Sequence, residues 1–324
     1  MPLTSPAAPW FKSLCWASVL SVGALVVLGG IVRVTGSGLG CPDWPLCYGK
    51  LYPPLELQAV IEYSHRLVAS AVVGPLILAT SVAAWITQRR DRWIVVPASV
   101  AVILLIAQAL LGGVTVLTEL PGGIVAAHLA LAEALLATLI VLLVASHRGP
   151  LIWNGNAYGR GGDPGFGRFP VLMLAAALAV YFLILTGSFV TAAGATAACT
   201  TWPLCQGNIF PQSTFQAINM GHRSATLVLG LYVLYALHLG FRGKNRQGGV
   251  KSLAMAATII LTMQVAAGAA TVWLDFAIGL RALHLSLATA LWGLVAGLAA
   301  LSHTSPLASF HASPSAMSTE PSHG

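Results

Sequence analysis

Apolar residues run through this chain in long blocks broken by short polar stretches. Neither the alternation of a half-buried strand nor the one-sided stripe of a soluble helix is present. A helix needs about 20 mostly apolar residues to cross a hydrocarbon core. Eight blocks reach that length, at 13–34, 60–86, 94–117, 123–146, 170–191, 217–240, 252–273 and 280–301. The pattern predicts an all-α integral membrane protein of eight transmembrane helices. The first apolar run outlasts the roughly 7–15 residues of a secretory signal core. No small-residue cleavage pattern follows it directly, so it is read as a retained first helix.

Composition agrees. Hydrophobic residues make up 57% of the 324 positions and charged residues 8%, against roughly 25% charged in an ordinary soluble domain. Mean hydropathy is +0.82. The net charge of +7 therefore does not point to nucleic acid. Lys12, Arg89, Arg90, Arg92, Arg148, Arg160, Arg168, Arg242, Lys244, Arg246 and Lys251 all fall before the first helix or in the even-numbered loops, and they are 11 of the 16 cations. Cytoplasmic loops collect Lys and Arg, which places those loops and both termini in the cytoplasm of a multi-pass inner-membrane protein.

The sequence also repeats. Gln108-Ala-Leu-Leu-Gly112 recurs as Gln264-Val-Ala-Ala-Gly268, and His128-Leu-Ala-Leu-Ala132 as His284-Leu-Ser-Leu-Ala288, both at an offset of 156. Trp44-Pro-Leu-Cys47 returns as Trp202-Pro-Leu-Cys205 after 158 residues, and His65-Arg66 as His222-Arg223 after 157. Each unit has an even number of helices, so both should share one orientation. The expected fold is two tandem four-helix bundles related by pseudo-two-fold symmetry along the membrane normal. The division is 1–147, a Gly- and Pro-rich cytoplasmic linker at 148–169, 170–303, and a disordered tail at 304–324.

His65, His128, His222 and His284 fall near the extracytoplasmic ends of helices two, four, six and eight. Ionisable groups within membrane spans are costly and usually serve a function inside the bundle. Two imidazoles on facing helices suit a heme iron. Zinc fits less well, because no HExxH or CxxC pattern accompanies them. A covalent c-type heme is excluded by the lack of C-x-x-C-H. The plain alternative is a set of interfacial histidines that snorkel to water. Arg33, Arg66, Arg223 and Arg281 sit on the same side, against the positive-inside tendency, and heme propionates are candidate partners for them. The other reading of Arg66 is an i,i+4 salt bridge with Glu62.

The halves differ at one position near the histidines. Glu62 precedes His65 by three residues, whereas Asn219 precedes His222. A carboxyl can relay a proton and an amide cannot, so only the first half carries a group for proton chemistry. Glu133, with Thr289 as its counterpart, lies on another helix face from His128 and receives no role. Cys41 and Cys47, like Cys199 and Cys205, stand six residues apart in extracytoplasmic loops, where disulfides are favoured. A redox-active dithiol is the alternative. Cys15, inside the first helix, is read as a packing residue.

The run from Gly29-Gly30 through Arg33, Thr35-Gly36-Ser37-Gly38 and Cys41-Pro-Asp-Trp44-Pro-Leu-Cys47, with Glu62-x-x-His65-Arg66, His128, His222-Arg223 and His284, resembles the bacterial heme A synthase family. The resemblance spans all eight helices. It implies an oxidoreductase that converts a methyl group of heme O to a formyl group by successive hydroxylations, giving heme A for aa3-type oxidases. On that family pattern, His65 and His128 flank the substrate heme O, and His222 and His284 ligate a resident heme b. Glu62 is the catalytic carboxylate, and Cys41–Cys47 an outer-loop disulfide. Implied partners are heme O, a heme O synthase and a membrane electron acceptor; a homo-oligomer is compatible. Two other classes stay open on the residues alone. One is a di-heme b cytochrome that only transfers electrons. The other is a transporter, which would be expected to carry polar groups near the midplane.

Overall fold

Inside a bilayer no water is present to satisfy backbone N–H and C=O groups, so each spanning segment must close its own hydrogen bonds as a helix. The computed structural model describes residues 7–151, 168–242 and 248–304. Among these it contains eight helical spans long and apolar enough to cross a membrane. α1 is Pro9–Val34. The second span is divided into α2 (Leu57–Leu67), a π-helical stretch (Val68–Val73) and α3 (Gly74–Thr87). α4 (Arg92–Leu117) and α5 (Gly122–Arg148) complete the first half. α6 (Phe169–Ala192), α7 (Thr214–Arg242), α8 (Gly248–Trp273) and α9 (Ile278–Ser302) form the second. Span ends lie within four residues of those read from hydropathy. Most of the linker and tail expected at 148–169 and 304–324, with Arg160, Lys244 and Arg246, lies outside the described residues.

The protein is thus an all-α, multi-pass membrane protein. Side chains such as Leu20, Ile86, Ile103, Val171 and Leu231 are more than half exposed along the spans. On a soluble monomer so much contiguous apolar surface would be a liability; against lipid it is the natural solvent boundary. α5 and α9 are the inner helices, with more than half of their spanning windows buried. They pack on each other, and each also packs on both α1 and α6. Equivalent helices therefore make equivalent pairings, which is compatible with the expected two-fold relation.

Small residues set the closest approaches, as is usual where lipid offers no hydrophobic drive. A Cβ on Gly30 of α1 would stand 2.5 Å from Leu285 of α9, and one on Gly240 of α7 would stand 2.9 Å from Ala254 of α8. Cys15 is buried in the core without a disulfide partner. The π-helical stretch has a local cause. Pro75 supplies no N–H and crowds the preceding turn, so the ladder between Arg66 and Gly74 rearranges. The corresponding part of α7 has no proline and continues as an unbroken α-helix.

Candidate functional site

Both α1 and α6 stop at a glycine in the left-handed region, Gly36 (φ 70°) and Gly194 (φ 71°). Ser37 N–H then donates to Val32 O and Ala195 N–H to Val190 O, each at 2.9 Å. These helix-ending bonds turn the chain into the two cysteine loops. Cys41–Cys47 and Cys199–Cys205 are disulfide-bonded. Beyond each bridge lies a tight turn with two consecutive positive φ values, at Tyr48-Gly49 and at Gln206-Gly207. In the first loop the Asp43 carboxylate accepts the N–H groups of Gly49 and Tyr48. The Gly49 bond leads in holding this exposed acid below the usual carboxylate range.

The arginine after each upstream histidine ties its loop down. Arg66 donates through Nη1 to Asp43 O (2.6 Å) and Leu46 O (2.8 Å), and through Nη2 to Cys41 O (2.7 Å) and Glu62 Oε1. Arg223 donates to Thr201 O (2.6 Å), Pro203 O (3.1 Å), Leu204 O (3.3 Å) and Cys199 O (3.2 Å). The i,i+4 pair of Glu62 with Arg66 is therefore formed. It is not a wet surface pair, because Glu62 is only 4% exposed. Its other oxygen accepts Cys41 N–H at 2.8 Å. Asn219 holds the equivalent place by donating to Ala195 O and Thr196 O.

Beneath these loops lies a cavity of about 1680 Å³, larger than the roughly 300–1,000 Å³ of a typical single-ligand pocket. His65, His128, His222 and His284 all line it, as do Glu62, Asn219, Trp44 and Trp202. Each histidine ring rests on a glycine of a neighbouring helix. An ideal Cβ would lie 3.1 Å from His65 at Gly29, 3.1 Å from His128 at Gly112, 3.2 Å from His222 at Gly187 and 3.0 Å from His284 at Gly268. A side chain at any of the four would press on the space its ring needs. Gly112 and Gly268 stand out in the sequence as repeat anchors and Gly29 as part of a motif, but their place under the histidine rings is not legible there; Gly187 is marked only by standing at the repeat offset from Gly29.

Other polar groups converge on the cavity. Gln108 and Gln264 bring their amide nitrogens within 3.4 Å of Nε2 of His128 and His284, and the side-chain oxygen of each is buried without a partner. Arg33 and Arg281 line the cavity, partly buried, and make no side-chain hydrogen bond or ion pair among the described residues. They sit about one turn toward the loop end from the Gly30–Leu285 contact, on the seam of α1 with α9. Of the four arginines singled out by sequence, Arg66 and Arg223 are engaged with loop carbonyls, while Arg33 and Arg281 are uncommitted. No group of three or more His, Cys, Asp or Glu arranged for a bare metal ion occurs among the described residues.

Glu133 lies on a different seam. It is fully buried between α5 and α9, with Oε1 accepting from Thr289 Oγ1 at 2.9 Å and its backbone carbonyl accepting from Trp292 Nε1. Two positions equivalent by the repeat meet there, at the junction of the halves.

The family described as cytochrome oxidase assembly protein, COX15-CtaA, matches residues 12–296. The chain belongs to that family. Among its relatives, a heme A synthase of Exiguobacterium sibiricum is 33% identical over 280 residues, covering 85% of this chain and 89% of the relative. Another from an Exiguobacterium species is 31% identical over 292 residues, covering 89% and 92%. A heme A synthase of Bacillus licheniformis is 28% identical over 282 residues, covering 86% and 91%. In this family member the matched region takes in every residue of the cavity named above.

Proposed function

We propose that this chain is a heme A synthase: an oxidoreductase that oxidises a methyl substituent of heme O through an alcohol to the formyl group of heme A, for aa3-type cytochrome oxidase. The observation that carries the reading is the fourfold one of a histidine lodged on a neighbouring helix's glycine, around one cavity, in a chain of this family. A flat ring between two imidazoles needs side-chain-free helix surface beside its ligands. The unpaired Arg33 and Arg281 add donors that the two carboxylates of a porphyrin would satisfy.

The division of labour follows the repeat. Residues 1–147 hold substrate heme O between His65 and His128. Residues 170–303 hold heme b between His222 and His284, joined to the first half by a linker at 148–169. When bound, heme b supplies one-electron redox chemistry, and electrons leave to a membrane acceptor. Arg33 and Arg281 are the better propionate partners, because Arg66 and Arg223 would first have to release loop carbonyls. Glu62, which lines the cavity, takes and returns protons at the substrate side. The Cys41–Cys47 and Cys199–Cys205 bridges stiffen the loops that exclude water above the cavity. This end of the bundle faces the extracytoplasmic side, with both termini in the cytoplasm. Heme O arrives from a heme O synthase.

Purified from membranes, the protein should show a low-spin b-type heme spectrum. His222→Ala or His284→Ala should remove that signal, whereas His65→Ala should leave it. An unchanged spectrum in the first two variants would refute the assignment. The same spectra address the rival electron-transfer cytochrome, which requires two permanent, chemically identical hemes.

A further inference from the structure

Although their sequences repeat, the two histidine pairs are not held alike. Thr186 Oγ1 lies 2.8 Å from Nδ1 of His222. The same hydroxyl donates its single proton to Leu183 O at 2.9 Å. With that proton on the Leu183 carbonyl the hydroxyl accepts from the imidazole, an arrangement that puts the ring proton on Nδ1 and leaves the Nε2 lone pair for a metal. His284 is fixed in the same sense, since its Nδ1 lies 3.1 Å from the backbone carbonyl of Gln264, which only accepts. Both histidines of the C-terminal half thus have their tautomer and ring orientation set by an acceptor behind the ring.

In the N-terminal half both supports are missing. The position equivalent to Thr186 is Leu28, one residue before Gly29 as Thr186 is one before Gly187. Leucine offers no acceptor, and the His65 ring makes no hydrogen bond among the described residues. Nδ1 of His128 is buried without a partner, while the Gln108 side chain donates to the His128 backbone carbonyl instead. Neither ring has an acceptor behind its Nδ1; the Gln108 amide nitrogen, 3.4 Å from His128 Nε2, approaches the other ring nitrogen, as Gln264 does at His284. An acceptor on the far nitrogen orients a ligating imidazole and raises its basicity, and removing one typically costs about 10–100-fold in metal affinity.

We propose that Thr186, with the Gln264 carbonyl, is a positioning residue that makes the C-terminal pair a retentive heme site, and that Leu28 keeps the N-terminal pair exchangeable, as a substrate that must leave as product requires. The inference rests on the heme reading above and gives a physical reason for which half keeps its heme.

The test uses the full chain in detergent, loaded with heme b in cells that make no heme O, with apomyoglobin as scavenger. A His65→Ala background reports the C-terminal pair alone. There, Thr186→Val should speed heme loss by about 10–100-fold. It should also move the midpoint potential in the positive direction, because a less basic imidazole stabilises ferric iron less. Thr186→Ser, which keeps the hydroxyl, should behave like its parent. In a His222→Ala background, Leu28→Thr should slow loss from the N-terminal pair. Equal heme loss and equal potential in Thr186→Val and its parent would overturn the proposal while the heme reading stands. An unsubstituted chain that takes up no heme would overturn both.

Discussion

Glu62→Gln is expected to abolish heme A formation while leaving heme bound. Glutamine keeps the length of the side chain and an oxygen that can accept Cys41 N–H, as Glu62 Oε2 does at 2.8 Å. The ion pair to Arg66 is lost, but that guanidinium retains its three loop carbonyls at Asp43, Leu46 and Cys41. Loop and cavity should therefore persist, and what disappears is a group able to take and return a proton. Positioned acid–base groups typically contribute about 10²–10⁴-fold in rate, so product should fall by at least that range. Quantifying heme A per unit of protein by chromatography of extracted pigments checks this. A Glu62→Gln protein making normal heme A would remove the carboxyl from the chemistry and leave it as a loop anchor. Asn219→Ala provides the contrast, because it should slacken the Cys199–Cys205 loop, held at Ala195 O and Thr196 O, without ending the reaction outright.

Gly268→Leu should empty the C-terminal site. A bare Cβ at this position already lies 3.0 Å from Cε1 and 3.3 Å from Nδ1 of His284. A leucine would drive the imidazole away from both the Gln264 carbonyl and the cavity. Heme affinity should drop by about 10–100-fold or more, the scale seen when the support of a metal-ligating histidine is lost. Gly112→Leu should do the same at His128, where the equivalent Cβ lies 3.1 Å from Cε1. Gly23→Leu on α1 is the control, since nothing lies within 4 Å of its Cβ position. Heme-to-protein ratios from absorbance separate the cases. Retention of a full heme complement in Gly268→Leu would mean that the ring does not depend on that glycine surface.

Helices were legible in the sequence because lipid imposes a length and a composition that few other environments demand. All eight spans follow from runs of apolar residues alone, to within four residues at each end. Legibility of the duplication came from motifs rather than hydropathy, and the histidines, Glu62 and the two cysteine pairs stood out because they fall inside those motifs. Tertiary reach was not legible. Nothing local says that Arg66 and Arg223 turn back to carbonyls some 20 residues earlier rather than toward an anion, because loop conformation decides it. The Thr186–His222 bond joins residues 36 apart on different helices, with no periodic signal. The π-helical stretch was hidden in a continuous apolar run, and Gly74-Pro75 was its only mark. Glu133 could not be placed from its own helix because its partner, Thr289, is its repeat equivalent 156 residues away, across the junction of the halves.

Heme extraction and chromatography from cells that make heme O, with and without this protein, test the central claim most directly. Heme A, or its hydroxylated precursor, should appear only when the protein is present. Stoichiometric heme b in the purified protein, with heme O untouched in the cells, would contradict the synthase reading and leave an electron-transfer cytochrome in its place.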